Sequence, residues 1–187
     1  DASKEERTIT LCNSGVMSGP ASLLFSLIDE IDNNNASGEY YLTDCVAHAN
    51  ATGKTARVVL CDQKETLGVN SRQDLAIAET TFQDRARQEH MENGVSLLAP
   101  ETVYFSFDTV IGRDSLVEQH VVFGPEATIE RTAHIKSFCH IEGAHVSEGA
   151  IIGPFARLRP GAELGEQVHV GNFVEIKNAV VGDRAKI

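Results

Sequence analysis

Aliphatic and aromatic side chains recur every six residues through the second half of the chain. The series runs in steps of six from Ile111 to Ile141, resumes after a five-residue step at Val146, and continues to Ile176. An α-helix repeats about every 3.6 residues and a strand every two or so, so neither explains this period. A period of six is typical of the hexapeptide class of parallel β-helix.

Small residues, mostly alanine, stand two positions before most members of this series, and glycine often follows one position after. Small residues allow the corner of a coil to close, and glycine tolerates tight backbone conformations. We therefore predict a parallel β-helix over residues 106–187, in which three hexads form one triangular turn. The side chains expected inside it include Ile129, Ile135, Ile141, Ile152, Leu158 and Leu164.

The first half of the chain has a different pattern. Residues 8–17 and 56–61 resemble strands, residues 21–31 carry apolar side chains at helical spacing, and Thr43 and Asp44 can begin a second short helix. Strands mixed with helices are typical of an α/β layer. We predict a part of an α/β domain over residues 1–70.

One long amphipathic helix is predicted between the two halves, over residues 71–93. Its apolar stripe contains Leu75, Ala78, Phe82 and Ala86, and Gly94 follows its end. Periodicity alone fits two interpretations, an interdomain connection over residues 71–105 and an ordinary surface helix of one domain.

The composition of the chain disfavours two classes of binding partner. The chain has 16 Lys and Arg against 27 Asp and Glu, a net charge of −11, so a nucleic-acid or anionic-membrane surface is disfavoured. No apolar run approaches the roughly 20 residues of a membrane span, and no signal-peptide pattern is present. The chain begins without Met and stops within the six-residue repeat, so we expect an internal piece of a longer protein.

The cysteines predict a reducing compartment. They have no C-x-x-C spacing, and most have apolar neighbours, so they are expected to be buried, reduced thiols of a cytosolic protein. The four positions are Cys12, Cys45, Cys61 and Cys139.

Two cations stand out in the repeat. Arg159 and Lys177 each follow an inward aliphatic residue and are 18 residues apart, one full turn of the predicted coil. Side chains stacked in this way repel each other unless an anion lies between them, which suggests a phosphate or carboxylate clamp. The register places Glu142 one rung below Arg159, where its carboxylate can pair with that cation. An exposed ladder of ion pairs explains the same residues.

Four histidines also precede inward aliphatic residues and should face outward. Because successive hexads lie on different faces, they are not expected to converge on a zinc ion. These residues are His134, His140, His145 and His169.

Longer strings resemble a known family. These are residues 152–164 (IGPFARLRPGAEL) and 169–177 (HVGNFVEIK), with shorter strings at 13–15 (NSG), 33–35 (NNN), 38–44 (GEYYLTD) and 68–72 (GVNSR). In order along the chain, they are similar to the bacterial bifunctional N-acetylglucosamine-1-phosphate uridyltransferase/glucosamine-1-phosphate N-acetyltransferase.

The resemblance implies a left-handed β-helix and two activities. Acetyl-CoA would acetylate glucosamine-1-phosphate, and UTP would then transfer UMP to N-acetylglucosamine-1-phosphate, giving UDP-N-acetylglucosamine for cell-envelope polymers. It also implies a cytoplasmic homotrimer that uses Mg²⁺, with neither nucleic acid nor membrane insertion.

The resemblance assigns roles to six residues. Asn13 matches a sugar-nucleotide contact, Asn70 a metal ligand, and Tyr41 and Thr43 a segment near the sugar. Arg159 and Lys177 match ligands of the sugar phosphate. The family's catalytic residues, including its general-base histidine, match positions beyond the two ends, so no catalytic residue is expected within the chain.

Two other interpretations remain open. One is a non-catalytic hexapeptide-repeat scaffold that trimerises and binds a partner. The other is a nucleotidyltransferase whose β-helix serves assembly alone.

Overall fold

The computed structural model describes residues 4–187, which divide into two units, 4–67 and 68–187. Residues 1–3 of the predicted first domain lie outside the described part. No helix of residues 4–187 is long and apolar enough to cross a membrane.

The first unit is built around two helices, α1 (Ala21–Asp29) and α2 (Asp44–Ala51). Short 3₁₀ segments lie at Glu6–Thr8 and Gln63–Thr66. Leu27 of α1 packs with Cys45 and Ala49 of α2, and Met17, Leu23 and Ile31 surround this small core.

The prediction of two strands in the first unit is wrong. Residues 8–17 and 56–61 form no strand, and no strand lies anywhere in residues 4–67. A strand needs a neighbour that satisfies its backbone N–H and C=O groups. Val58, Val59 and Leu60 are exposed, because within the described residues nothing covers them.

The second unit begins with helix α3 (Arg72–Glu92), whose first turn is capped by Ser71 Oγ accepting from Asp74 N at 3.1 Å. A 3₁₀ segment at Pro100–Thr102 and fourteen short strands follow. The strands are β1 (Ser96–Leu97), β2 (Val110–Ile111), β3 (Leu116–Val117), β4 (Val122–Phe123), β5 (Thr128–Ile129), β6 (His134–Ile135), β7 (His140–Ile141), β8 (Ala144–Val146), β9 (Ile151–Ile152), β10 (Arg157–Leu158), β11 (Ala162–Leu164), β12 (His169–Val170), β13 (Glu175–Ile176) and β14 (Ala179–Val181).

From β2 onward every third strand joins the same sheet, and β1 pairs with β3, so the chain winds as a solenoid. The first sheet has the order β1-β3-β6-β9-β12, the second β4-β7-β10-β13 and the third β2-β5-β8-β11-β14. All these pairings are parallel, and the inward aliphatic residues face one another, as Ile135 faces Ile152 in the first sheet. This confirms the predicted parallel β-helix of hexapeptide repeats.

The interior of the solenoid is the column of aliphatic residues predicted from the six-residue period. Each of the predicted inward side chains is at most 2% exposed: Ile129, Ile135, Ile141, Ile152, Leu158 and Leu164. The small residues before them are buried too, among them Ala127, Ala133 and Ala150.

Helix α3 packs against the first coil largely through polar side chains. The predicted apolar stripe is partly wrong as its buried face, because Ala86 packs against the solenoid core but Phe82 is exposed. Leu75 is 57% exposed, whereas Gln83 and Arg87 are buried. Gln83 Nε2 donates to Phe105 O at 2.8 Å, and Arg87 Nε donates to Val103 O at 3.0 Å. Polar groups are buried here because they complete the hydrogen bonds of the coil's open edge.

The cysteine prediction is half wrong. Cys45 and Cys139 are buried, and burial raises the pKa of the Cys139 thiol. Cys12 and Cys61 are exposed, because both lie in segments predicted as strands that do not form.

Candidate functional site: a charged face on the second sheet

Three neighbouring strands of the second sheet, β7, β10 and β13, present charged side chains to solvent. Each strand has an inward aliphatic residue, and the residues on either side of it point outward. We call these six outward residues the charged face: His140, Glu142, Arg157, Arg159, Glu175 and Lys177.

Arg159 and Lys177 are adjacent on this face. Leu158 pairs with Ile176 in the parallel register, so the residues that follow them lie on neighbouring rungs. Arg159 N donates to Ile176 O at 2.9 Å, which fixes the rung. Arg159 is half-buried and Lys177 is exposed.

The predicted pairing of Glu142 with Arg159 is not formed. Glu142 does lie one rung below Arg159, since Leu158 pairs with Ile141. Its carboxylate instead contacts Arg157 Nη2 at 3.6 Å, and Arg159 pairs with Glu175 on the next rung. Long side chains reach diagonal neighbours on a sheet, so register alone does not decide the partner.

Arg159 donates from Nη1 to Glu175 Oε1 at 2.7 Å, the shortest contact on the charged face. This hydrogen bond, and then the positive charges of Arg159, Arg157 and Lys177, hold the pKa of the Glu175 carboxyl below its usual range. Arg159 Nε is buried and has no hydrogen-bond partner among residues 4–187.

Three of the other predicted site residues lie in the first unit. Asn13 is exposed, and its Oδ1 accepts from Gly15 N at 2.6 Å. Tyr41 is half-buried, and Thr43 is the exposed residue at which α2 begins. These contacts are local and leave the assigned roles as predictions.

Asn70 lies just before α3, at the start of the second unit, and its side chain is exposed. Its backbone N–H donates to Asp74 Oδ2 at 3.1 Å. An amide oxygen is a suitable ligand for Mg²⁺, which requires several oxygen ligands. Among the described residues no group of three or more His, Cys, Asp or Glu side chains could hold a metal ion. The role of Asn70 as a ligand of Mg²⁺ stays a prediction.

The four outward histidines are distributed over all three sheets. His134 and His169 lie on the first sheet, His140 on the second and His145 on the third. Two of them pair with glutamates on the preceding rung, His134 Nε2 with Glu118 at 2.9 Å and His145 Nε2 with Glu130 at 3.0 Å.

Arg157 and Glu175 are members of the charged face that the spacing argument did not single out. Both precede an inward aliphatic residue, whereas Arg159 and Lys177 follow one. The same 18-residue spacing relates Arg157 to Glu175, and this was the signal that could have identified them.

The chain matches the family model "Bacterial transferase hexapeptide (six repeats)" over residues 143–178. This segment contains four residues of the charged face, Arg157, Arg159, Glu175 and Lys177.

Curated relatives match the chain over its whole length. The chain is 59% identical over 187 residues to the "Bifunctional protein GlmU" of Roseobacter denitrificans, covering 100% of this chain and 42% of that protein. It is 61% identical over 187 residues to the protein of the same name from Cereibacter sphaeroides, of which it covers 41%. The chain therefore spans about two fifths of the length of these relatives.

Solved structures give a weaker likeness. The acetyltransferase domain of PglB from Neisseria gonorrhoeae has a TM-score of 0.32 and 23% identity, over 56% of this chain and 58% of that one. The same domain in complex with acetyl coenzyme A has a TM-score of 0.31 and 21% identity, over 62% of this chain and 60% of that one.

The family resemblance inferred from the sequence is confirmed, and the chain is related over its entire length to a region of the bacterial bifunctional GlmU proteins.

Proposed function

We propose that the charged face binds the phosphate of glucosamine-1-phosphate in a reaction that transfers an acetyl group from acetyl-CoA to the sugar amine. The observation that carries this proposal is the adjacency of Arg159 and Lys177 on neighbouring rungs. A guanidinium and an ammonium about 4.8 Å apart in strand spacing can share the oxygens of one phosphate group.

The local environment supports this role for Arg159. Its side chain is 34% exposed, so the guanidinium is partly fixed by the coil and still accessible from solvent. Its Nη1 is held by Glu175 at the exposed end of the side chain, whereas its Nε is buried and has no acceptor among the described residues. Planar guanidinium groups bind phosphate oxygens with several parallel donors.

The relatives are named bifunctional, which supports the proposal of a second activity. We propose that the first unit contributes to uridyl transfer from UTP to N-acetylglucosamine-1-phosphate, with Asn13, Tyr41 and Thr43 near the sugar nucleotide. Asn70 would supply one oxygen ligand to Mg²⁺. The product would be UDP-N-acetylglucosamine, made in the cytoplasm.

The assembly we propose is a homotrimer of solenoids. Alternatives with a purely structural solenoid make a distinct prediction, because a scaffold does not require adjacent cations. In a scaffold Arg159 and Lys177 would be a surface charge ladder, whose loss changes little.

A chimaera tests these alternatives. In the Roseobacter denitrificans protein, this chain would replace the matching region, and both activities would be measured. Arg159→Ala and Lys177→Ala should each lower kcat/KM for glucosamine-1-phosphate by roughly tenfold or more, since a charge-assisted hydrogen bond contributes about 1.5–3 kcal/mol. Uridyl transfer should be unchanged.

The matched control is Arg113→Ala, because Arg113 is an exposed arginine on the solenoid outside the charged face. Normal acetyl-transfer kinetics in both charged-face variants would return Arg159 and Lys177 to the ladder interpretation. The chain by itself is expected not to acetylate the sugar, because the resemblance assigns no general base to it.

A further inference from the structure

Two cations of the charged face, Arg157 and Arg159, form diagonal ion pairs with glutamates on neighbouring rungs. Arg157 contacts Glu142 at 3.6 Å, and Arg159 contacts Glu175 at 2.7 Å. Lys177 lies beside Arg159 on the neighbouring rung and is exposed. His140 Nε2 lies 3.8 Å from the Glu142 carboxylate, on the same strand as that glutamate's rung.

A charge count shows what an anion meets on arrival. Glu142 balances Arg157, which leaves the cations of Arg159 and Lys177 with the single negative charge of Glu175. A bound monoanion would give Arg159 only what Glu175 already provides. A phosphate dianion would match both cations once Glu175 has moved away.

We propose that Glu175 is an internal counter-ion that a ligand must displace from Arg159, and that it thereby selects dianionic phosphate groups over monoanions. This inference rests on the proposed phosphate site. It makes Glu175 a specificity-determining residue that acts by occupying the guanidinium in the absence of phosphate.

The geometry permits this exchange. The side chain of Glu175 is 53% exposed, so it can turn into solvent without losing packing. An exposed ion pair contributes little to stability, so a better ligand can compete with it. The side chain of Arg159 is 34% exposed and therefore more enclosed by the coil than that of Glu175, so the carboxylate is the partner expected to move as the anion changes.

The experiment is a titration of the 187-residue chain with inorganic phosphate and, separately, with acetate. Binding is followed by the NMR signals of arginine Nε–Hε groups, which detect millimolar affinities. In the unsubstituted chain, phosphate should shift the Arg159 signal and acetate should not. In Glu175→Gln, phosphate should bind about two- to fivefold more tightly, which corresponds to the loss of one exposed ion pair, and acetate should now bind.

Glu163→Gln is the matched control. Glu163 lies on β11 of the third sheet, its side chain is 55% exposed, and it also has a positive partner when protonated, His145 at 3.4 Å. Its substitution changes the net charge of the chain by the same amount, and the binding of both anions should stay as in the unsubstituted chain.

The outcomes separate the inference from the site on which it rests. Equal or weaker phosphate binding in Glu175→Gln, with binding lost in Arg159→Ala, would overturn the displacement and leave the phosphate site intact. Equal tightening in the Glu163→Gln control would also overturn it, because the effect would then be one of net charge. A phosphate response that is absent from the unsubstituted chain or unchanged by Arg159→Ala would overturn the phosphate site itself.

Discussion

Glu118 accepts two hydrogen bonds from Ser137 on the next rung of the solenoid, from Ser137 Oγ at 2.6 Å and from Ser137 N at 3.0 Å. These bonds, with a further contact from His134, hold the pKa of the Glu118 carboxyl below its usual range despite the opposing effect of burial. The folded solenoid therefore favours the ionised form of this carboxylate, which joins two successive coils.

Glu118→Gln should therefore destabilise the chain in a pH-dependent way. A group whose pKa is lower in the folded state contributes stability above its unfolded pKa, and this contribution is lost as the pH falls through the folded pKa. At pH 7 the variant should lose about 1–3 kcal/mol of unfolding free energy, and the difference from the unsubstituted chain should shrink below about pH 4.5.

Urea unfolding at several pH values measures this difference. Glu166→Gln is the control, because the Glu166 side chain is exposed. A difference that stays constant from pH 7 to pH 3 would show that the ionised form of Glu118 has no special part in joining the coils.

The amide of Gln83 gives a second prediction. It donates to Phe105 O at 2.8 Å and accepts from Phe105 N at 2.9 Å, and it is buried. Gln83→Ala leaves both backbone groups without partners, so it should lower the unfolding free energy by about 2–4 kcal/mol. The control is Gln88→Ala on the same helix, since Gln88 bonds only to exposed Glu92 among the contacts described. Equal losses of unfolding free energy in the two variants would contradict a special stabilising role for the hydrogen bonds between Gln83 and Phe105.

Two glycines that follow an inward aliphatic residue form a matched pair for a third prediction. A Cβ at Gly112 would lie 2.7 Å from Arg131 Cα and closer still to Arg131 N, whereas a Cβ at Gly182 would meet nothing within 4 Å. Gly112→Ala should therefore cost about 1–3 kcal/mol, because two coils must separate, and Gly182→Ala should cost much less. Thermal unfolding of the two variants side by side checks this, and similar melting temperatures would show that the coils adjust freely.

Asn70 provides the prediction for uridyl transfer. In the chimaera, Asn70→Ala should impair uridyl transfer and leave acetyl transfer nearly intact, because it removes the oxygen ligand proposed for Mg²⁺ and leaves the charged face unchanged. Ser71→Ala is the control, since it weakens the capping of α3 by about 1 kcal/mol and leaves the Asn70 amide in place. Equal loss of both activities in Asn70→Ala would indicate general destabilisation.

The six-residue period predicted the solenoid because each rung buries one side chain of a regular series. Ile135 and Ile152 face each other as that series requires. The strands predicted in the first half did not form, because alternation describes one strand and carries no information about its partner. Val58 and Val59 have the residue types of a buried strand but nothing to pair with among residues 4–67.

Among site residues, the adjacency of Arg159 and Lys177 was predictable because it depends only on rung spacing. The partner of Arg159 was not, since it depends on side-chain direction. A column of stacked rings was not predicted from the sequence, although its spacing is equally regular. Stacked rings with centroids 4.8–5.1 Å apart run along one corner: His120, Phe138, Phe155 and Phe173.

Helix α3 contacts the first coil at two points, and the spacing of these points on the helix nearly equals their spacing on the coil. Gln83 and Arg87 are four residues apart on the helix, about 6 Å along its axis. The backbone groups that they bind, on Phe105 and Val103, are two residues apart on an extended segment, about 6.6 Å. The helix and the extended segment run in opposite directions. Their spacings agree for two contacts and would differ by more than an ångström at a third. One residue inserted between Gln83 and Arg87 would turn one of them about 100° away from the coil, so the position of the helix is set by sequence spacing as strictly as the repeat itself.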